Sequence, residues 1–117
     1  MKTKAMTAFY EQLESVLRNL SSMFPEDPDF PTFRFFLSGL KMGNPLLPIK
    51  TFHENVSKYE HVILARDEAF LLAYNGDNVD FDILAKFQTY WGTFDAETKA
   101  SLWQYLFILN ECAKRAL

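Results

Sequence analysis

Apolar residues return every three or four positions along most of this chain, the spacing of one face of an α-helix. Met6, Phe9, Leu13, Val16, Leu17, Leu20, Met23 and Phe24 form the first such stripe, so a helix is expected from about Lys4 to Phe24. Pro25 ends it, since proline lacks the amide and restricts the residue before it. The link Pro25 to Pro31 carries three prolines and the acids Glu26, Asp27 and Asp29. A second helix is expected from about Pro31 to Lys41. Asp29 would sit at its cap, and Phe33, Phe36, Leu37 and Leu40 would form its apolar stripe.

Gly43-Asn44-Pro45 closes that helix, and a third follows from about Leu46 or Pro48 to near Tyr59. Ile49, Phe52, Val56, Tyr59 and Ile63 fall on one side of it. Val62-Ile63-Leu64 fits either a continuation or a short extended turn. Asp67 and Glu68 offer first-turn acids for a short fourth helix to Tyr74. Asn75-Gly76-Asp77-Asn78 reads as a turn. A fifth helix fits Asp80 to Trp91, with Gly92 as a left-handed stop. Asp95 then caps a last helix from Ala96 to about Ala116. Its main stripe is Leu102, Tyr105, Leu106, Leu109, Cys112, Ala113 and Ala116, and Trp103 with Phe107 makes a second. A helix apolar on two sides belongs in the middle of its bundle. The expected fold is all-α: one domain spanning residues 1-117, an irregular bundle of five to six helices, because long terminal helices enclose short ones.

Composition changes this picture at one point. Of 117 residues, 49% are hydrophobic and 23% charged, which suits a globular domain and excludes a disordered tail or a disulfide scaffold. The excess is aromatic: 12 Phe, 5 Tyr and 2 Trp. Most fall on the stripes. Phe30, Phe35 and Phe107, with Trp103, fall outside the simplest core, and these four are the candidate partner-binding residues. Phe35 faces away from Phe33 and Phe36 on a helix, and aromatic side chains are enriched at the centres of protein interfaces.

Charge narrows the partners. The net charge is -3 and the basic residues are scattered, so direct nucleic-acid binding by phosphate neutralisation is disfavoured. The single Cys112 falls on an apolar stripe and reads as a small buried hydrophobe. No signal peptide is visible, and the longest apolar run, Leu106 to Leu109, is far too short to span a bilayer. A cytoplasmic chain, not a secreted one, is expected.

Catalytic patterns are missing. His53 and His61 would stand about 12 Å apart on a straight helix, turned about 80° from each other, so they cannot share a metal. Both read as solvated. Asn78, Asp80 and Asp82 alternate as in a calcium loop, but Ile83 falls where glycine is needed and Thr89 where glutamate is needed. The four glycines are isolated and cradle no phosphate. We therefore expect no enzyme, no cofactor and no metal.

Two segments carry a resemblance. Phe24-Pro25-Glu26 closes the first helix, and Asp95-Ala96-Glu97-Thr98-Lys99 leads into Trp103-Gln104-Tyr105-Leu106, with Tyr90-Trp91 between them. Together, over about a third of the chain, they resemble small helical proteins of nucleocytoplasmic large DNA viruses. Those tend to show a Phe-Pro-Glu helix end, a short Trp-containing segment, then Asn-Thr-Lys and Trp-Lys-Tyr-Leu. Glu97 stands here for the Asn and Gln104 for the Lys. The resemblance implies a virus-encoded helical protein from a family with no established activity, in the host cell or in the particle. The function expected is a non-enzymatic protein–protein interaction or structural module, with a protein partner or self-association. The alternative is a regulator of nucleic-acid transactions, acting through a protein partner or through a basic face assembled from Arg34, Lys41, Lys50 and Lys58.

Overall fold

The computed structural model describes residues 2–74 and 83–117. Among these residues the fold is all-α: α1 (Lys2–Met23), α2 (Asp29–Gly43), α3 (Leu46–Val56), α4 (Glu60–Ala65), α5 (Glu68–Leu72), α6 (Ile83–Tyr90) and α7 (Ala96–Ala116). Short 3-10 turns join α3 to α4 (Ser57–Tyr59) and follow α6 (Trp91–Thr93). Val62-Ile63-Leu64 is thus helical, and α3, its turn and α4 form one broken helical stretch. The radius of gyration is 13.6 Å, against about 13.4 Å for a packed chain of this length.

The frame is the pairing of the two long terminal helices. α1 presents Phe9, Leu13, Val16, Leu17 and Leu20, all buried, and α7 presents Leu102, Leu106, Leu109, Ala113 and Ala116. α7 packs on α3 and α4 as well as on α1, so it holds the central place that its two apolar stripes predict. α2 packs on α1 and α3 from outside. One hydrophobic cluster takes buried residues from all seven helices' surroundings, from Ala5 to Ala116.

The helix ends follow local chemistry. The Asp95 carboxylate accepts from the Thr98 amide at 2.7 Å, as expected of a cap. Asp67 does the same for α5, accepting from Phe70 N at 3.1 Å. α2 departs from expectation. It starts at Asp29, and the acceptor for the Asp29 amide is Asp27 Oδ1 at 2.9 Å. The earlier start places Phe30 inside the helix, two turns before Leu37 on the same side.

Gly92 is also a correction. No described glycine has a positive φ, because α6 tightens into a 3-10 turn and extended Phe94 (φ -86°, ψ 140°) ends it. The left-handed residue is Arg66 (φ 51°, ψ 50°), which closes α4. The turn Asn75-Gly76-Asp77-Asn78, the start of the fifth helix and the alternating acids Asp80 and Asp82 lie outside the described residues.

Candidate interaction surface

α2 is held by few side chains. In fifteen residues only Phe30 and Leu37 are buried, with Phe33 and Leu40 half-buried beside them. At about 100° per residue these four cluster on one side, and Phe35, Ser38, Gly39 and Met42 fall opposite. Phe35 is 82% exposed and Met42 87% exposed. Phe36 is a correction: the spacing puts it in the core stripe, but it is 56% exposed. It lies on the flank, well round from the centre set by Phe30, Leu37, Phe33 and Leu40. Leu46 and Leu47, just past the α2–α3 corner, are also exposed. Taking about 200 Å² for a fully exposed large side chain, Phe35, Phe36 and Met42 offer roughly 450 Å² on α2, and Leu46 and Leu47 roughly 180 Å² at the start of α3. The largest apolar patch of a typical monomer is about 300–600 Å², and patches of that size are often functional.

The other aromatic candidates divide. Phe30 is fully buried, because the early start of α2 turns it inward beneath Lys86, whose Nζ lies 5.2 Å from its ring. Trp103 is 5% exposed, because the turn after α6 folds across the second stripe of α7 and sets Trp91 edge-on at 5.5 Å. Neither is available to a partner in this conformation. Phe107, one turn beyond Trp103, is 37% exposed at the edge of that cover. Phe35 is thus the most open of the four.

Polar clusters elsewhere hold the bundle together. Lys86 Nζ bonds Asp27 Oδ2 at 2.9 Å and Asp29 Oδ2 at 2.6 Å. The Tyr90 hydroxyl donates to Asp27, and its ring stacks on Phe24 at 3.8 Å. Desolvation pushes the Asp27 carboxyl up, but hydrogen bonds from Tyr90, Lys86 and the Asp29 amide, with the Lys86 charge, outweigh it and bring it down to about 2. The group pins the acidic link to α6.

On the far side, buried Asn110 donates to Glu60 Oε1 at 3.0 Å and Lys114 bonds the same oxygen at 2.7 Å. Lys114 is the main cause of a Glu60 carboxyl below the usual range, with a smaller contribution from His53. Asn110 Oδ1 and His53 Nδ1 are covered and have no hydrogen-bond partner among the described residues. His61 is exposed as expected, whereas His53 is half-buried, a correction to its solvated reading. Asn110 was legible in principle: it stands four residues after Leu106 and three before Ala113, on the buried stripe.

Among the described residues no enclosed site accompanies these groups. Among the described residues no cluster of three or more His, Cys, Asp or Glu could hold a metal ion. An apolar hollow between Tyr59, Ile63, Phe70, Leu84 and Trp103 measures about 10 Å³, room for no more than a water. Burial pushes the half-buried Cys112 thiol up, which keeps it protonated and unreactive. No helix among the described residues is long and apolar enough to cross a membrane.

The basic residues named for a nucleic-acid face sit on separate elements. Arg34 and Lys41 share one edge of α2, Lys50 is on α3 and Lys58 in the turn after it. Lys41 is already engaged by Glu14 at 3.3 Å and lies over the Tyr10 ring. Compared with family models, curated proteins and solved structures, the chain matches none, so its own surface is what points to a function.

Proposed function

We propose that this protein is a non-enzymatic interaction module that docks another protein surface through the outer face of α2. The observation that carries this reading is the exposure of Phe35 and Met42 on one helix face, flanked by Phe36. Exposing rings and a thioether to water is unfavourable by about 25 cal/mol per Å², so a partner that covers them gains that energy. Phe35 comes from the aromatic excess of the sequence, and Met42 and Phe36 extend it into a patch. The resemblance carried by Phe24-Pro25-Glu26 and by Trp103-Gln104-Tyr105-Leu106 supports placing the module among virus-encoded helical proteins acting in the infected cell or the particle.

The test is a photo-crosslinking amino acid placed at Phe35, with Gln104 on the exposed side of α7 as the control position. Irradiation is expected to give a discrete protein adduct from Phe35 and none from Gln104. Equal, featureless labelling from both positions overturns the proposal.

A further inference from the structure

We infer that residues 67–74, with α5 at their centre, form a flap that opens as a unit while α1 and α7 stay paired, and that its opening uncovers the apolar hollow in front of Trp103. The device stands apart from the α2 face. Three features converge on this segment: few buried anchors, an imperfect seam and a strained entrance.

α5 has five residues, fewer than an isolated helix needs to persist in water. Only Leu71 of the five is buried, and Phe70 and Leu72 are well exposed. Tyr74, just past the helix, is the second buried anchor. The helix packs chiefly on α6. Polar ties reach it from two sides. Gln88 Nε2 donates to Leu72 O at 2.8 Å and to Tyr74 O at 3.0 Å, and Lys99 Nζ stands 3.5 Å from Glu68 Oε1. By contrast, Leu106 and Leu109 of α7 are fully buried, and freeing them requires the bundle to come apart. Elements held so unequally open at separate free energies.

The hollow of about 10 Å³ lies on the seam between the flap and the bundle. Leu71 and Tyr74 wall it on one side, and Tyr59, Ile63, Leu84 and Trp103 on the other. A void there removes dispersion contacts at the surface where the flap is seated. The entrance adds to this. Arg66 turns the chain into the flap in the left-handed conformation (φ 51°), which is unfavourable for an L-residue and is relieved when the segment lifts. Lifting carries Leu71 and Tyr74 off Tyr59, Ile63 and Trp103. Trp103, buried in the closed form, thereby gains a second, open environment.

Native-state hydrogen exchange of the full chain in low urea tests this. The amides of Leu71, Ala73 and Tyr74 bond to acceptors within the segment itself, so they exchange when it opens. They are expected to share one opening constant, about a hundredfold or more above that of Leu106 and Leu109. They are also expected to share one urea slope, above zero because apolar surface is uncovered and well below the slope of the α7 amides. Val16→Ala, which removes two buried methyl groups from α1, is expected to speed the α7 amides about tenfold and leave the flap amides unchanged. Gln88→Ala removes a tie that opening breaks, so it is expected to raise the flap's opening constant about fivefold.

Zero slopes at Leu71, Ala73 and Tyr74 would mean residue-by-residue fraying, and slopes equal to those of Leu106 and Leu109 would mean release only with the whole fold. Either result overturns the inference. So does equal acceleration of both sets by Val16→Ala, or flap exchange indifferent to Gln88→Ala.

Discussion

Replacing Asp27 by Asn removes one negative charge from the group that pins the link to α6, and with it one of the two acceptor oxygens. The single amide oxygen of Asn can still accept from the Asp29 amide, now at 2.9 Å from Oδ1, while its amide nitrogen takes the place of Oδ2, to which Tyr90 and Lys86 donate. Lys86 keeps Asp29 at 2.6 Å. What disappears is the attraction between Lys86 and an ionised Asp27, with the hydrogen bonds that Lys86 and Tyr90 give to Oδ2. The carboxyl lies at about 2 in the fold against 3.8 ordinarily. At about 1.4 kcal/mol per pH unit of displacement this bounds the contribution at about 2.5 kcal/mol. Asp29 is well exposed and water reaches the pair, so screening reduces it to about 1 kcal/mol.

The pH dependence has a definite sign. A carboxyl lowered by folding stabilises the fold above about pH 4, and that stabilisation fades as the pH falls through about 2. Urea unfolding followed by the fluorescence of buried Trp91 and Trp103 is the assay. At pH 7 Asp27→Asn should cost about 1 kcal/mol, or about 3–5 °C in Tm for a chain of this size. At pH 2 the gap should shrink toward zero. Asp27→Ala should lose about 1 kcal/mol more at either pH, because the acceptor for the Asp29 amide goes too. A gap between the parent and Asp27→Asn that is equal at pH 7 and pH 2 refutes the argument, since its cause would not be the ionised carboxylate.

The remaining predictions concern the two kinds of aromatic residue and the left-handed residue. Trp103→Ala should destabilise by about 3–5 kcal/mol, as a large core truncation does, while Phe35→Ala should stay within about 0.5 kcal/mol in a dilute sample. Urea midpoints in the reverse order would invert the assignment of core and surface. Arg66→Gly should stabilise by about 0.5 kcal/mol: relief of a left-handed L-residue is worth about 1–2 kcal/mol and the added freedom of glycine in the unfolded chain takes back about 0.5–1. A midpoint that falls, with unchanged slope, argues that the Arg66 side chain contributes more than its backbone costs.

Helix positions were legible because periodicity is a local property. Leu13 and Leu17 on α1, or Leu102, Leu106 and Leu109 on α7, announce a buried face whatever packs on it. Asp95 as a cap was equally legible, since a carboxylate just before a helix needs only its own next turn. α2 shows where this stops. A Phe three residues from another Phe looks like core, yet Phe36 is exposed because the buried centre of α2 is set by Phe30, which the start of the helix at Asp29 brings onto its inner side. Met42 carried no local signal at all. Its exposure follows from α2 packing on α1 and α3 from one side, with no described element on the other.

By itself, then, the order of apolar and polar residues determined an all-α bundle with α7 at its centre, because a stripe wide on two sides must find neighbours on two sides. It also determined that the aromatic content exceeds what those stripes hold. Which rings make up the excess was decided only in three dimensions. Trp91 closes over Trp103, and Lys86 closes over Phe30. These covers come from elements distant in sequence, and no periodicity reports them. What remains open is Phe35, with Phe36 and Met42 beside it, on the side of α2 that the described part of the bundle does not reach.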